Sequence, residues 1–325
     1  MNTNKLKSFA KEARIKLMEA AGRQLIYWGF NSKSEVEYPL EEVSGGYLFR
    51  GDTFDDSTIP AKWKRLKKQV TTGKEGFADA AESAAYTWFN RLTAIKILEE
   101  NGFIPATISY VSGSKTPEIL QRAKAGEVSI NDGKLKKELQ ETLLDGNDEK
   151  AFGLLLINFC RTHAMLNRVF GQIDDYTEML MPQNLLSADG FVDMLNDTDN
   201  IAPEDFSEVE LIGWLYQFYI ADRKDEVFAG FKKNKKARAE DIPAATQIFT
   251  PKWIVNYMVE NTLGKIYLDY ESDSDLREQM KYLISSDSNE SEFKIDDITQ
   301  LTLIDPACGS GHILVTAFEW LFRFW

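Results

Sequence analysis

The chain has 325 residues, of which 43% are hydrophobic and 27% charged; this is about two domains' worth of ordinary globular sequence and excludes a disordered tail, a collagen-like repeat or a coiled-coil rod. Its 38 Lys+Arg against 51 Asp+Glu give a net charge of −13 and a pI of about 4.8, a balance unlike that of a protein that neutralises phosphates over its whole surface. Cys160 and Cys308 are too few and too far apart for a disulfide framework, and with no apolar run of membrane-spanning length and no signal-peptide core the expected location is the cytosol.

The charge is polarised along the chain: residues 1–170 hold 25 basic and 22 acidic residues, the remainder 13 and 29. Two basic clusters stand out. Lys62, Lys64, Arg65, Lys67 and Lys68 surround Trp63, and Lys232, Lys233, Lys235, Lys236 and Arg238 follow Phe231. Each reads first as a solvated helix face or loop and second as a contact to a phosphate backbone.

Most of the first 240 residues read as helix. Ala81, Ala85, Trp88, Leu92 and Ile95 lie on one helical face, and Asn101-Gly102 supplies a stop. Residues 152–170 are apolar on nearly every side and suit one buried helix. Ser207 and Glu210 form a capping-box pattern before the aromatic run 211–220, whose rings read as core. Gly45-Gly46, Asp52–Asp56 and Asp145-Gly146-Asn147-Asp148 read as turns. Near residue 240 the character changes, and Asp241–Ala245 reads as a connector between a helical domain, 1–240, and a second domain, 241–325.

Two motifs in that second stretch carry chemistry. In Gln247-Ile248-Phe249-Thr250-Pro251-Lys252-Trp253, Thr250 is a good N-cap and Pro251 suits the first helical position, so a helix starts here. The pairs Ile254/Met258 and Val255/Val259 would pack that helix on a sheet. In Leu301-Thr302-Leu303-Ile304-Asp305-Pro306-Ala307-Cys308-Gly309-Ser310-Gly311-His312, a short strand ends at an acid and turns through small residues into a helix, as in a doubly wound sheet where ligands sit at strand ends. Gly309 and Gly311 let backbone approach a ligand, the opening N–H groups favour a carboxylate, and Asp305 can pair with an ammonium. An amino-acid moiety fits this loop better than a pyrophosphate, and neither phosphate-binding glycine spacing is present.

Asp305-Pro306-Ala307-Cys308-Gly309-Ser310-Gly311 resembles the S-adenosylmethionine-binding loop of amino-methylating DNA adenine methyltransferases, and Phe249-Thr250-Pro251 resembles their partner motif in the same order. Ala85-Tyr86-Thr87-Trp88-Phe89-Asn90-Arg91-Leu92, Asp225-Glu226-Val227-Phe228-Ala229 and Ile242-Pro243-Ala244-Ala245-Thr246-Gln247 are similar to the N-terminal third of the PglX family, the methyltransferases of bacteriophage-exclusion (BREX) systems. The resemblance implies a mainly α N-terminal domain followed by the truncated start of an α/β, Rossmann-like, S-adenosylmethionine-dependent methyltransferase domain. It places Thr250, with Phe249 and Pro251, against the methionine part of the cofactor, and Asp305, Pro306, Ala307, Cys308, Gly309 and Gly311 around its amino and carboxylate ends. It implies double-stranded DNA as a partner of the whole protein, with Lys232, Lys233, Lys235 and Lys236 as candidate contacts. Other BREX subunits or a phage inhibitor are the protein partners it suggests, with no membrane.

The Asn/Asp-Pro-Pro-aromatic tetrapeptide with which that family holds a flipped adenine is missing, since no Pro-Pro occurs in the chain. The acid expected to hold the cofactor's ribose is missing as well. The expectation is an N-terminal piece of a longer enzyme, with no catalytic residue of its own and no activity alone. The alternative is a DNA- or partner-binding helical module with a vestigial cofactor loop. Cys308 lies in the loop and not beside a target base, His312 reads as a capping or surface residue and His163 as a core or boundary residue. No metal-ligand spacing or nuclease-like carboxylate cluster is present.

Overall fold

The computed structural model describes every residue except 55, 73–74, 171–175, 238–240, 247, 285–296, 310 and 325, and the side chains of 169 and 243. Arg238, Gln247, Ser310 and Trp325 therefore lie outside the described residues. The chain is mainly helical and divides into two packing units, Met1–Ser207 and Glu208–Trp325.

The first unit is organised by α1 (Thr3–Tyr27) and α3 (Gly76–Glu100). Asn2 caps α1 by accepting from the Asn4 and Lys5 N–H groups at 3.1 and 3.2 Å. Leu6, Phe9, Ala10, Ala13, Leu17, Ala21 and Leu25 recur at helical spacing and are buried, as is the expected α3 stripe Ala81, Ala85, Trp88, Leu92 and Ile95. Alanines on both faces let the backbones approach, and larger rings fill the gap further along: Phe9 and Phe89 both stack on Phe191, at 6.0 and 5.4 Å. The Asn101-Gly102 stop is present, with Gly102 at φ 71°.

A three-stranded antiparallel sheet, β1 (Glu41–Val43), β2 (Gly46–Phe49) and β3 (Asp52–Phe54), follows α1. The turn expected at Gly45-Gly46 is the β1–β2 hairpin, with Gly45 at φ 90°. The stretch from Asp52 is a correction: its composition predicts a turn, but Asp52–Phe54 is a strand in register with Phe49–Tyr47, because ladder pairing outweighs local polarity. The helix α2 (Ile59–Thr71) turns Trp63, Leu66 and Val70 inward. Three indole N–H groups cross-link this core, Trp28 to the Met179 carbonyl at 2.9 Å, Trp63 to Trp28 at 3.1 Å and Trp88 to Thr177 at 3.0 Å. Each gives a buried polar tip the partner it needs.

Beyond α4 (Glu118–Lys124) and α5 (Gly133–Leu144), the expected turn at Asp145–Asp148 holds: Gly146 sits at φ 69° and Asn147 caps the next helix by accepting from Lys150. The single helix expected over 152–170 is instead two, α6 (Asp148–Thr162) and α7 (Ala164–Phe170), because His163 between them is extended at ψ 116°. The short helices α8 (Tyr176–Met179) and α9 (Phe191–Asn196) and a 3-10 turn, Pro203–Ser207, complete the unit.

In the second unit, α10 (Glu210–Tyr219) and α11 (Ala221–Phe231) precede α12 (Ile242–Thr246), so the expected connector at Asp241–Ala245 is largely a short helix. Asp241 accepts from Arg223 at 2.8 Å. The capping box at Ser207 and Glu210 does not form. The Ser207 hydroxyl donates to the Glu204 carbonyl, α10 starts from Val209 without a side-chain cap, and Glu210 has a partner 42 residues away in Lys252. A core of Val255, Val259, Leu263, Tyr267, Leu268, Met280, Ala317 and Trp320 joins α13 (Lys252–Val259), a π turn (Glu260–Gly264), α14 (Lys265–Tyr270) and α15 (His312–Phe324). Of the two expected apolar pairs, Val255/Val259 is the buried one, and Met258 is exposed. Residues 301–305, expected to be a strand, are unpaired, since no described segment hydrogen-bonds beside them and a strand exists only as part of a ladder.

Candidate functional site

Phe249-Thr250-Pro251 leads into α13, one residue out of the expected frame: Pro251, at φ −57° and ψ 146°, is the cap, and Lys252 the first helical residue. Pro251's fixed φ suits that position, and Thr250 makes no side-chain cap bond because it precedes the cap. The helix's opening N–H, that of Lys252, donates instead to Glu210 Oε1 at 2.8 Å, so the cap is supplied from another helix.

One face of α10 holds the segment. The Phe249 N–H donates to Gln217 Oε1 at 2.7 Å, and the Phe249 ring packs at 4.9 Å on Trp214. Gly213 leaves room for that ring, because a Cβ there would lie 1.9 Å from Phe249 Cε2. Glu210, Gly213, Trp214 and Gln217 fall at i, i+3, i+4 and i+7, so a single helical face supplies cap, space, ring and acceptor. Composition marks this run only as aromatic core; the isolated glycine in an apolar helix is the one local signal of a close approach.

The loop before α15 is built by local geometry. Asp305 Oδ1 accepts from the Ala307 N–H at 3.0 Å and fixes the turn after the extended segment. Its other oxygen, Oδ2, is buried and has no hydrogen-bond partner among the described residues. Gly309 and Gly311 take φ 55° and 80°, and the Gly311 N–H donates to the Cys308 carbonyl at 2.8 Å. A Cβ on Gly311 would meet nothing within 4 Å, so glycine is needed there for its backbone conformation and not for space. Pro306, Ala307, Cys308 and Gly309 are exposed.

The two motifs meet at a residue expected only to cap or sit on the surface. His312 is buried, its ring stacked on Phe249 with centroids 5.0 Å apart and planes 7° from parallel. The Thr250 main chain lies near the ring and favours its protonated form. Burial is the largest influence on its pKa and holds it below the usual histidine value; Lys252 adds to that, while Glu210, the Thr250 main chain and Glu319 act against it. Its Nδ1 is buried without a partner among the described residues.

The other candidates lie apart from this constellation. Lys232, Lys233, Lys235 and Lys236 are exposed in the turn following α11, where Asn234 adopts φ 57°. In α2 the cluster splits. Lys62 is buried and pairs with Glu178 at 3.1 Å, while Lys64, Arg65, Lys67 and Lys68 are exposed on the outer face. Burial pushes the Cys160 thiol up to about 11, which keeps it protonated and unreactive. His163 lies half-buried against Phe159, a boundary position. No group of metal-ligating side chains occurs among the described residues, and no helix among them is long and apolar enough to cross a membrane.

The site joins a Phe-Thr-Pro helix start to a glycine loop whose acid keeps one buried oxygen without a partner among the described residues. No protein-family model matches the chain. It is 36% identical, over 98% of its length, to an adenine-specific methyltransferase BrxX of Escherichia coli O9:H4 (strain HS), and 29% identical, over 99%, to an adenine-specific methyltransferase PglX of Lacticaseibacillus casei (strain Zhang). It spans 27% and 29% of the length of those relatives. Over nearly all of its own length the chain is thus a homologue of the BrxX and PglX adenine-specific methyltransferases.

Proposed function

We propose that this chain is the helical N-terminal part and the opening of the catalytic domain of an S-adenosylmethionine-dependent DNA adenine methyltransferase acting in bacteriophage exclusion. The observation that carries the reading is Asp305 Oδ2, a buried carboxylate oxygen with no described partner at the rim of a glycine loop. A buried acceptor of this kind is costly unless a donor arrives, and the ammonium of an amino-acid moiety is such a donor. The main chain of Ala307–Gly309 would take the carboxylate of the same moiety, and Phe249, Thr250 and Pro251 would flank its methionine part. When bound, the cofactor supplies an electrophilic methyl group. The residues of this chain bind and orient it, with α10 fixing the Phe-Thr-Pro segment and the glycine conformations keeping the loop open. Leu303 and Ile304, exposed beside Asp305, are the side chains that neighbouring strands of a Rossmann-like sheet would cover.

In this reading residues 1–240 are the helical domain and 241–325 the start of the methyltransferase domain, in a cytoplasmic protein whose DNA contacts include Lys232, Lys233, Lys235 and Lys236. With no Asn/Asp-Pro-Pro-aromatic segment in its sequence, the chain alone is expected to bind cofactor without methylating DNA. Calorimetric titration with S-adenosylmethionine tests this: Asp305→Ala should weaken binding by roughly 10–100-fold, as expected for a charge-assisted hydrogen bond of about 1.5–3 kcal/mol. Equal affinity in the variant would refute the assignment. A second reading, a DNA-binding helical module with a vestigial loop, draws on the exposed cationic face of α2; it predicts DNA binding by the chain with no cofactor binding at all.

A further inference from the structure

We infer that His312 is a positioning residue, a neutral latch that holds the Phe249-Thr250-Pro251 segment against the Asp305–Gly311 loop, so that its protonation loosens the cofactor site. The inference rests on the reading of that loop as an S-adenosylmethionine site. The two segments are far apart in sequence, and His312 joins them through the stacked Phe249 ring at 5.0 Å and through the Thr250 main chain. The Phe249 ring is also packed on Trp214 at 4.9 Å, and its main chain is held by Gln217 at 2.7 Å. Force on the His312 ring is therefore transmitted to the cofactor segment and is not absorbed by a loose side chain.

His312 is 7% exposed and its Nδ1 has no partner among the described residues, so a proton added there enters a site with no described acceptor to receive it. The charged groups facing the ring do not offset this. Glu210, the Thr250 main chain and Glu319 favour the cation and Lys252 opposes it, yet the balance holds the pKa below that of a free histidine because burial is the largest contribution. Attraction of a cationic ring to the Phe249 face acts the other way, against the burial that is the largest influence on the group. The packed site consequently binds fewer protons than the opened one. Its support is complete above about pH 6.5, the ordinary histidine value, and is lost as pH falls through the depressed one. His312 acts through Phe249 and Thr250 and touches no reacting atom.

The test uses the full chain with S-adenosylmethionine as the calorimetric probe between pH 5.5 and 8, for the wild type, His312→Phe and His312→Ala. The wild type should lose affinity severalfold on acidification. His312→Phe, which keeps a stacking ring but cannot titrate, should bind within about threefold of the wild type at pH 7.5, with no further acid loss of this kind. His312→Ala should bind more weakly still at every pH. With only two histidines in the sequence, the His312 proton resonance is assigned by its disappearance in the Phe variant, and its titration midpoint should lie below 6.5. A His312→Phe profile that tracks the wild type, or a midpoint at or above 6.5, would overturn the latch. If no form binds cofactor at any pH, the cofactor reading fails instead. The latch is then decided by the resonance midpoint and by whether acid lowers the melting temperature of the wild type more than that of His312→Phe.

Discussion

The two units treat their apolar groups differently. In Met1–Ser207 the largest side chains are sealed, each of Trp28, Trp63 and Trp88 has its N–H on a carbonyl, and the buried cations Lys62 and Lys96 face carboxylates. In Glu208–Trp325, Val315, Phe318 and Phe322 lie exposed along one face of α15, Phe322 at 75%, and Ile304 of the extended segment is 85% exposed. Exposed apolar residues scattered at helix ends, such as Leu144 in the first unit, are ordinary; a row on one helix face is not. A helical bundle closes its core from its own residues. The second unit presents an apolar helix face that the described residues do not cover.

Core truncation in the first unit should break the comparison most visibly. Trp88 is fully buried and bonded to Thr177, so Trp88→Ala is expected to cost about 3–5 kcal/mol in urea unfolding. Cofactor binding in the second unit should survive wherever the first remains folded. Loss of cofactor binding in parallel with stability would mean that the two units unfold as one.

Next in size is the shared carboxylate Glu178, which serves both Lys62 and Arg161. Glu178→Ala strands Lys62, whose side chain is 6% exposed, and should cost about 3 kcal/mol, whereas Lys62→Met leaves Glu178 paired with Arg161 and should cost less than about 1.5 kcal/mol. Equal losses in the two denaturation curves would refute the asymmetry.

Gly213→Ala tests the second unit alone. Its Cβ would overlap the Phe249 ring, so about 1–3 kcal/mol of overpacking strain is expected. The ring must move off His312, and S-adenosylmethionine affinity should fall with it. Strain in the melting curve with unchanged affinity would separate the Phe-Thr-Pro segment from the site.

How much of this is legible in the sequence follows from the range of the contacts. The α3 stripe and its Asn101-Gly102 stop can be read because helical spacing and a left-handed glycine are local properties. So can the glycine conformations of the Asp305 loop. The β3 strand cannot, since Asp52-Thr53-Phe54 becomes a strand only by pairing with Phe49–Tyr47. The false capping box has the same origin: Glu210 satisfies the local pattern but finds its donor at Lys252. The α10 cradle and the His312 latch are hidden for that reason too, because each consists of contacts between residues distant in sequence. Leu301–Asp305 shows the converse, a strand pattern without a described partner to make it a strand.

The smallest effect on stability should come from the exposed cations, and there the two units can be compared directly. Lys64, Arg65, Lys67 and Lys68 stand on a helix anchored by Trp63, Leu66 and Val70, so their spacing is fixed, and Lys67 lies 5.5 Å from the Trp63 ring. Lys232, Lys233, Lys235 and Lys236 project from a turn closed by the Lys233 and Lys235 N–H groups on the Gly230 carbonyl. Reversing either set to Glu should change unfolding free energy by about 0.5 kcal/mol or less, since exposed charges away from partners contribute little. DNA binding by the full-length parent is the sensitive readout. Each phosphate no longer neutralised should reduce the slope of log K against log salt by about 0.9, so a set that engages the backbone flattens the dependence by up to about four such steps. Reversal of the Lys232–Lys236 set is expected to do so. If only the α2 reversal flattens it, the DNA-binding surface belongs to the sealed first unit, and the helical domain is a DNA clamp in its own right. If neither does, both sets are solvated surface.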